Sequence, residues 1–372
     1  MKKLIIFLLF SVSIFNSYSA ATFNVTFVDQ QKNWPNAAQT AFNYAVSIWA
    51  AGLTSSVTIE IEAHFDKLGQ NTLGEARPET HVANFGSLSP KYVSGVFYHI
   101  ALANKLNGSD RKTGVPDILC WFSSEMTWYY GTDGSPPNNQ VDFVSVVLHE
   151  LGHGLGFGGG CLELDPPGSQ QLLCIKQPNT FDRNLCDNTG TKYAFDPMTS
   201  SLEQYMQSDN VWWDGAAAVS NNNGVRPKIY APNPWQQGRS LGHLDQTVFT
   251  QGPHTLMTPK FYRGYAAHDQ GSITMSIMND IGWDATVSID EVTSINRVKV
   301  FPNPSTDVIN INFGNQIPIK VSITSIDGTL IKTIIPNDYY LEFELNDLEN
   351  GVYFLTSEFD NKSITNNKII KL

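Results

Sequence analysis

A chain of 372 residues has room for two or three domains, and 41% hydrophobic residues with 12% aromatics describe a globular protein, excluding a disordered or fibrous one. The formal net charge of -11 is spread without acidic blocks, and no basic stripe is present, which excludes a nucleic-acid-binding surface.

Lys2 and Lys3 precede an apolar run at residues 4–10, and the small residues Ser17, Ser19, Ala20 and Ala21 follow. This is the pattern of a cleavable secretory signal, predicted over residues 1–21. Ser11, Ser13 and Asn16 break the run well short of a membrane anchor, and no later stretch is apolar enough to form a stable membrane span. Export places Cys120, Cys161, Cys174 and Cys186 in an oxidising compartment, so two disulfides are expected, with three possible pairings.

A strand is expected at residues 23–28 and a helix at 36–53, where Ala41, Tyr44, Ala45, Ile48 and Trp49 recur at helical spacing. A strand at 57–65, a helix at 92–106, a strand at 116–122 and an aromatic loop at 128–131 follow. Trp128, Tyr129 and Tyr130 in that loop are candidates to line a substrate cleft, although an aromatic cluster is more often core. Asp133 and Asp187 are acidic candidates for calcium, with no spacing that matches a known calcium loop.

Residues 141–156 read as a helix with Asn139 as N-cap. At a helical 100° per residue, His153 stands about 40° from His149, while Val144, Val147, Leu151 and Leu155 cluster at roughly 160–240°. The two histidines therefore share a face opposite the apolar stripe, one turn apart, where both imidazoles can reach one metal ion. Glu150 lies off that axis but within reach of water on the metal. Zinc suits the set: imidazole binds it well, and three protein ligands leave a fourth position for water, with Glu150 as general base. Gly152, Gly154 and Gly156 are costly in a helix without a packing reason.

Residues 158–239 read as a loop region rich in Gly, Pro and Asn, and a last helix is expected at 273–281. A linker at 286–297 leads to short alternating strands from residue 298 onward, separated by turns such as Asp327-Gly328 and Asn350-Gly351, as in a small β-sandwich.

The run His149-Glu150-Leu151-Gly152-His153-Gly154-Leu155-Gly156-Phe157 resembles the active-site helix of the metzincin metallopeptidases. In that clan a third histidine usually follows three residues after the final glycine, but that position here is Gly159. Downstream, His243-Leu244-Asp245, then Leu256-Met257-Thr258-Pro259, then Asp280-Ile281-Gly282-Trp283 are similar to the leishmanolysin-like branch, where a long insertion precedes the third ligand. The resemblance implies His243 as third zinc ligand and Met257 as the methionine beneath the metal. His254 is the alternative ligand, and Glu163 and Asp165 are carboxylate fallbacks.

The implied fold is α+β: a two-lobed metzincin-like catalytic domain at residues 22–285, with the active-site helix in the cleft, followed by the β-sandwich at 298–372. The implied function is a secreted zinc metalloendopeptidase acting on protein or peptide substrates. The competing expectation is a surface adhesion or binding protein whose metal only holds the fold, and a weaker one is hydrolysis of a non-peptide amide. Val300-Phe301-Pro302-Asn303-Pro304-Ser305, Gly351-Val352-Tyr353-Phe354 and Lys368-Ile369-Ile370-Lys371 resemble the C-terminal sorting domains of type IX secretion. This implies the secretion machinery as a partner and a secreted or cell-surface location.

Overall fold

The computed structural model describes residues 20–28, 34–69, 72–159, 162–164, 172–174, 178–192, 200–250, 253–285, 298–313, 317–360 and 364–372. Residues 1–19 of the expected signal, the 286–297 linker, Cys161, Asp165 and the side chains of Glu163 and Cys174 lie outside the described residues. The chain divides into two compact units between residues 287 and 288.

The first unit mixes helices and strands around a four-stranded sheet. Its order is Phe23–Val28, Ile59–Asp66, Ile118–Ser123 and Gly74–Pro78, with the first three strands parallel and Gly74–Pro78 antiparallel at the edge. Period-two alternation decides which side of the sheet is covered. Ile59, Ile61, Ala63 and Phe65 are buried, whereas Glu60, Glu62, His64 and Asp66 on the opposite face are partly exposed. The helix Asn36–Gly52 turns Ala38, Ala41, Phe42, Ala45, Val46 and Trp49 inward at helical spacing. Its small alanines permit close approach to the helix Phe143–Gly154, and the Trp49 Nε1–H donates to the Leu148 carbonyl at 3.0 Å. A core helix of this kind has no solvated face: all of its residues except His153 are buried.

Two differences from the expected elements have physical causes. The helix placed at 92–106 runs only over Ile100–Asn107, because Tyr98–His99 instead pairs as a short strand with His81–Val82. The motif helix starts at Phe143, not 141, and its N-cap is Asp142, whose carboxylate accepts the Ser145 N–H at 2.7 Å; Asn139 does not cap it.

The region after the motif helix is more ordered than a loop reading implies. It holds a three-stranded sheet of Leu185–Cys186, Val211–Trp213 and Lys228–Ile229, and the helices Ser200–Met206 and Ala216–Asn221. The last helix, Ser272–Ile281, buries Ile273, Met275, Ile277, Met278 and Ile281. Cys120 and Cys186 are buried free thiols, which corrects the expectation that all four cysteines pair. Cys120 sits in the central strand Ile118–Ser123, facing the core.

The second unit is a β-sandwich. One antiparallel sheet is ordered Lys299–Phe301, Val308–Asn312, Tyr340–Glu344, and the other Leu330–Ile334, Lys320–Ser325, Gly351–Glu358, Ile364–Lys371. Ile309, Ile311 and Phe343 from the first meet Val321, Ile323, Leu355 and Ile369 from the second in one core. No helix among the described residues is long and apolar enough to cross a membrane.

Candidate metal centre

The helix Phe143–Gly154 projects His149 and His153 from one face, and the segment after Lys228–Ile229 brings His243 to them. That segment is tied by backbone bonds: Tyr230 N–H to the His243 carbonyl at 2.9 Å, and Leu241 N–H to the Tyr230 carbonyl at 2.8 Å. The three Nε2 atoms converge, at 3.0 Å between His149 and His153, 3.1 Å between His149 and His243, and 3.2 Å between His153 and His243. Among the described residues this is the cluster of three or more potential ligands whose donor atoms meet closely enough to hold one ion.

The other ring nitrogens set the protonation of these three. His149 Nδ1 donates to the Leu256 carbonyl at 2.7 Å, His153 Nδ1 to the Phe157 carbonyl at 2.7 Å, and His243 Nδ1 to the Arg239 carbonyl at 2.8 Å. A carbonyl only accepts, so each Nδ1 carries the hydrogen, and each Nε2 of a neutral ring is left with a lone pair. Neutrality follows from burial. It lowers the His153 pKa, pushes His149 down to about 3 with help from the neighbouring His153, and takes His243 well below the ordinary histidine value. Three lone pairs thus face one another with no proton to share, an arrangement that a cation at their centre resolves. The outer carbonyl partners are those that orient metal-binding histidines. The residues present fit zinc, for which three imidazoles form a familiar donor set.

The turn behind His153 is braced from several directions. His99 Nδ1 faces the Gly154 carbonyl at 3.2 Å, Trp283 Nε1–H donates to the Leu155 carbonyl at 2.9 Å, and Asn179 Nδ2–H to the Gly158 carbonyl at 3.0 Å. Within the last turn of the helix, the Leu151, Gly152 and His153 carbonyls accept the N–H groups of Leu155, Phe157 and Gly156, so with Gly154 all four end carbonyls have partners. Gly156 makes the turn at φ 117°, a conformation that favours glycine.

Glu150 is buried beside the edge strand Gly74–Pro78. Burial, and then the charge of Glu75, push its pKa up to about 8, while the Ala76 backbone N–H opposes the shift. Met257 is fully buried, and its sulfur packs where a side chain at Gly152 would stand. Leu244 N–H donates to the Met257 carbonyl at 2.8 Å, so residues 256 and 257 anchor the positions of both His149 and His243.

His254 lies in the short turn Pro253–Thr255 with its ring 6.2 Å from Phe249, outside the cluster. Trp128 is buried edge-on against Phe143, and its Nε1–H donates to the Ser123 carbonyl at 2.7 Å. Tyr130 is half-buried on the same ring at 5.3 Å, and the Tyr129 hydroxyl donates to Asp133 at 2.7 Å. Asp133 also accepts the Ser135 N–H, and Asp187 accepts the N–H groups of Thr189 and Thr191, so both carboxylates stabilise turns. Phe261, which the sequence reading passed over, stands edge-on to His149 at 5.0 Å. Its sequence signal is only its place four residues after Met257.

Comparison with known proteins matches residues 299–371 to the family model of the secretion system C-terminal sorting domain. A second model, described as SPBPB7E8-like, matches residues 111–165, which include the motif helix. No curated protein matches the chain. A solved structure of PorZ, a surface component of the type-IX secretion system of Porphyromonas gingivalis, is 21% identical over 20% of this chain and 11% of its own, with a TM-score of 0.19. The chain therefore carries a type IX secretion sorting domain and is exported to the cell surface or beyond, with the secretion machinery as a partner.

Proposed function

We propose that this exported chain is a zinc-dependent endopeptidase of metzincin type, close to the leishmanolysin-like branch, with His149, His153 and His243 holding the metal and Glu150 acting as general base. The observation that carries this reading is the convergence of three imidazole lone pairs within 3.2 Å, beside a buried glutamate. When bound, zinc supplies Lewis acidity toward a carbonyl oxygen and lowers the pKa of water at its open position to about 7.

The residues of the chain divide the remaining work. Leu256, Phe157 and Arg239 hold the imidazoles in one tautomer through their carbonyls. Glu150 takes a proton at its carboxylate from the attacking water and delivers it to the leaving amine nitrogen. Apart from the Ala76 N–H, which faces Glu150, the outer edge of Gly74–Pro78 offers backbone groups to an extended substrate, as edge strands do in peptide recognition.

A purely structural metal calls for a closed set of four protein ligands. Among the described residues no thiol or carboxylate joins the three imidazoles, which favours an open position and hydrolysis over a binding module. The test is cleavage of an unstructured protein by the zinc-loaded chain. Glu150→Ala should keep about one zinc per chain and lose activity by at least ~100-fold. Undiminished cleavage by that variant overturns the mechanism.

A further inference from the structure

We infer that the edge strand Gly74–Pro78 positions Glu150: the absent side chain of Gly74 makes room for the glutamate stem, and the Ala76 N–H faces its carboxylate. The inference rests on the peptidase reading for its catalytic meaning, but its steric content stands alone. A Cβ at Gly74 would lie 3.0 Å from Glu150 Cγ, 3.1 Å from the Trp121 carbonyl oxygen and 3.2 Å from Phe122 Cδ1. The Trp121 oxygen belongs to the neighbouring paired strand, and the Phe122 ring is fully buried among Phe42, Trp34 and Phe143. Of the three neighbours, Glu150 is the one whose position can give.

The orientation of the strand fits this role. The Leu73 carbonyl accepts the Ser123 N–H at 3.0 Å, so residue 73 turns its backbone groups inward to the sheet. By the alternation of an antiparallel ladder, Gly74 and Ala76 turn theirs outward. The Ala76 N–H is thus spared from sheet pairing and directed at Glu150. A carboxylate in an apolar setting retains its pose only where such donors are fixed, and this one is fixed by the sheet rather than by a flexible side chain. Gly74 and Ala76 are positioning residues, acting through Glu150.

The test uses the full chain as wild type, Gly74→Ala, Glu150→Ala and the double variant. In zinc-loaded protein, Gly74→Ala should retain its zinc and a KM within about twofold, while kcat falls at least ~10-fold. In metal-free protein, Gly74→Ala should lower Tm more in the Glu150 background than in the Glu150→Ala background, where the crowded Cγ is gone. An unchanged kcat in Gly74→Ala, with the wild type active, overturns the inference. An inactive wild type overturns the peptidase reading instead, and the Tm comparison then decides alone: equal losses in both backgrounds overturn the positioning role.

Discussion

The sulfur of Met257 occupies the space that a side chain at Gly152 would require: a Cβ built there lies 2.8 Å from Met257 Sδ and 3.3 Å from the Trp49 ring. One position inside the helix Phe143–Gly154 is therefore kept small by a residue more than a hundred positions away. The glycine, costly for helix propensity, is explained by packing.

Gly152→Ala gains about 1 kcal/mol of helix propensity but overpacks a buried contact at a cost of about 1–3 kcal/mol. The expected net effect is a destabilisation of about 1 kcal/mol in urea unfolding, together with weaker zinc retention. In a Met257→Ala background the same substitution should be neutral or stabilising. A loss equal in both backgrounds would show that Met257 is not the partner.

His243→Ala leaves two imidazoles, and zinc affinity measured by chelator competition should fall at least ~100-fold. His254→Ala, which lies outside the cluster, should retain about one zinc per chain. The reverse pattern would move the third ligand to His254.

Asp117, buried between Glu60 and Asn104, accepts the Glu60 N–H at 3.0 Å and the Asn104 amide at 2.8 Å. Burial raises its pKa to about 6, helped by the charges of Asp110 and Glu60, while hydrogen bonds from the Glu60 backbone and Asn104 oppose the shift. The folded protein thus binds this proton more tightly than the unfolded chain does. The stability Asp117 contributes is full below the ordinary aspartate value and is lost as pH rises through about 6. Between pH 4 and 7, the unfolding free energy of wild type minus that of Asp117→Asn should fall by up to ~3 kcal/mol. A difference flat with pH would contradict the shift.

Cys120 and Cys186 are buried free thiols, and burial raises the pKa of both. Alkylation with iodoacetamide should leave both unmodified in the folded protein and modify both in denaturant without reductant. A disulfide-linked peptide containing either one would refute this.

The His-Glu-x-x-His helix could be read from sequence because helical geometry alone puts residues 149 and 153 on one face. The location of His243 could not be read that way. Its approach depends on backbone bonds among Tyr230, Leu241 and Leu244, which leave no periodic trace, and only resemblance pointed to it. The edge strand Gly74–Pro78 carries no alternating apolar pattern to reveal it, and its extended form comes from pairing with Ile118–Ser123. Asp142 was passed over as a cap because Val141 before it continues the apolar pattern. The cysteine expectation followed the compartment, yet Cys120 faces inward from a central strand, where packing governs.

The bracing of the carbonyls at Gly154, Leu155, Phe157 and Gly158 has a kinetic consequence. Among the described residues, these four carbonyls are already hydrogen-bonded, so none of them has to be ordered by an arriving ion. If the three imidazoles take up zinc as proposed, uptake by the folded chain should rise in rate in proportion to metal concentration, with no plateau from a slow rearrangement of these residues.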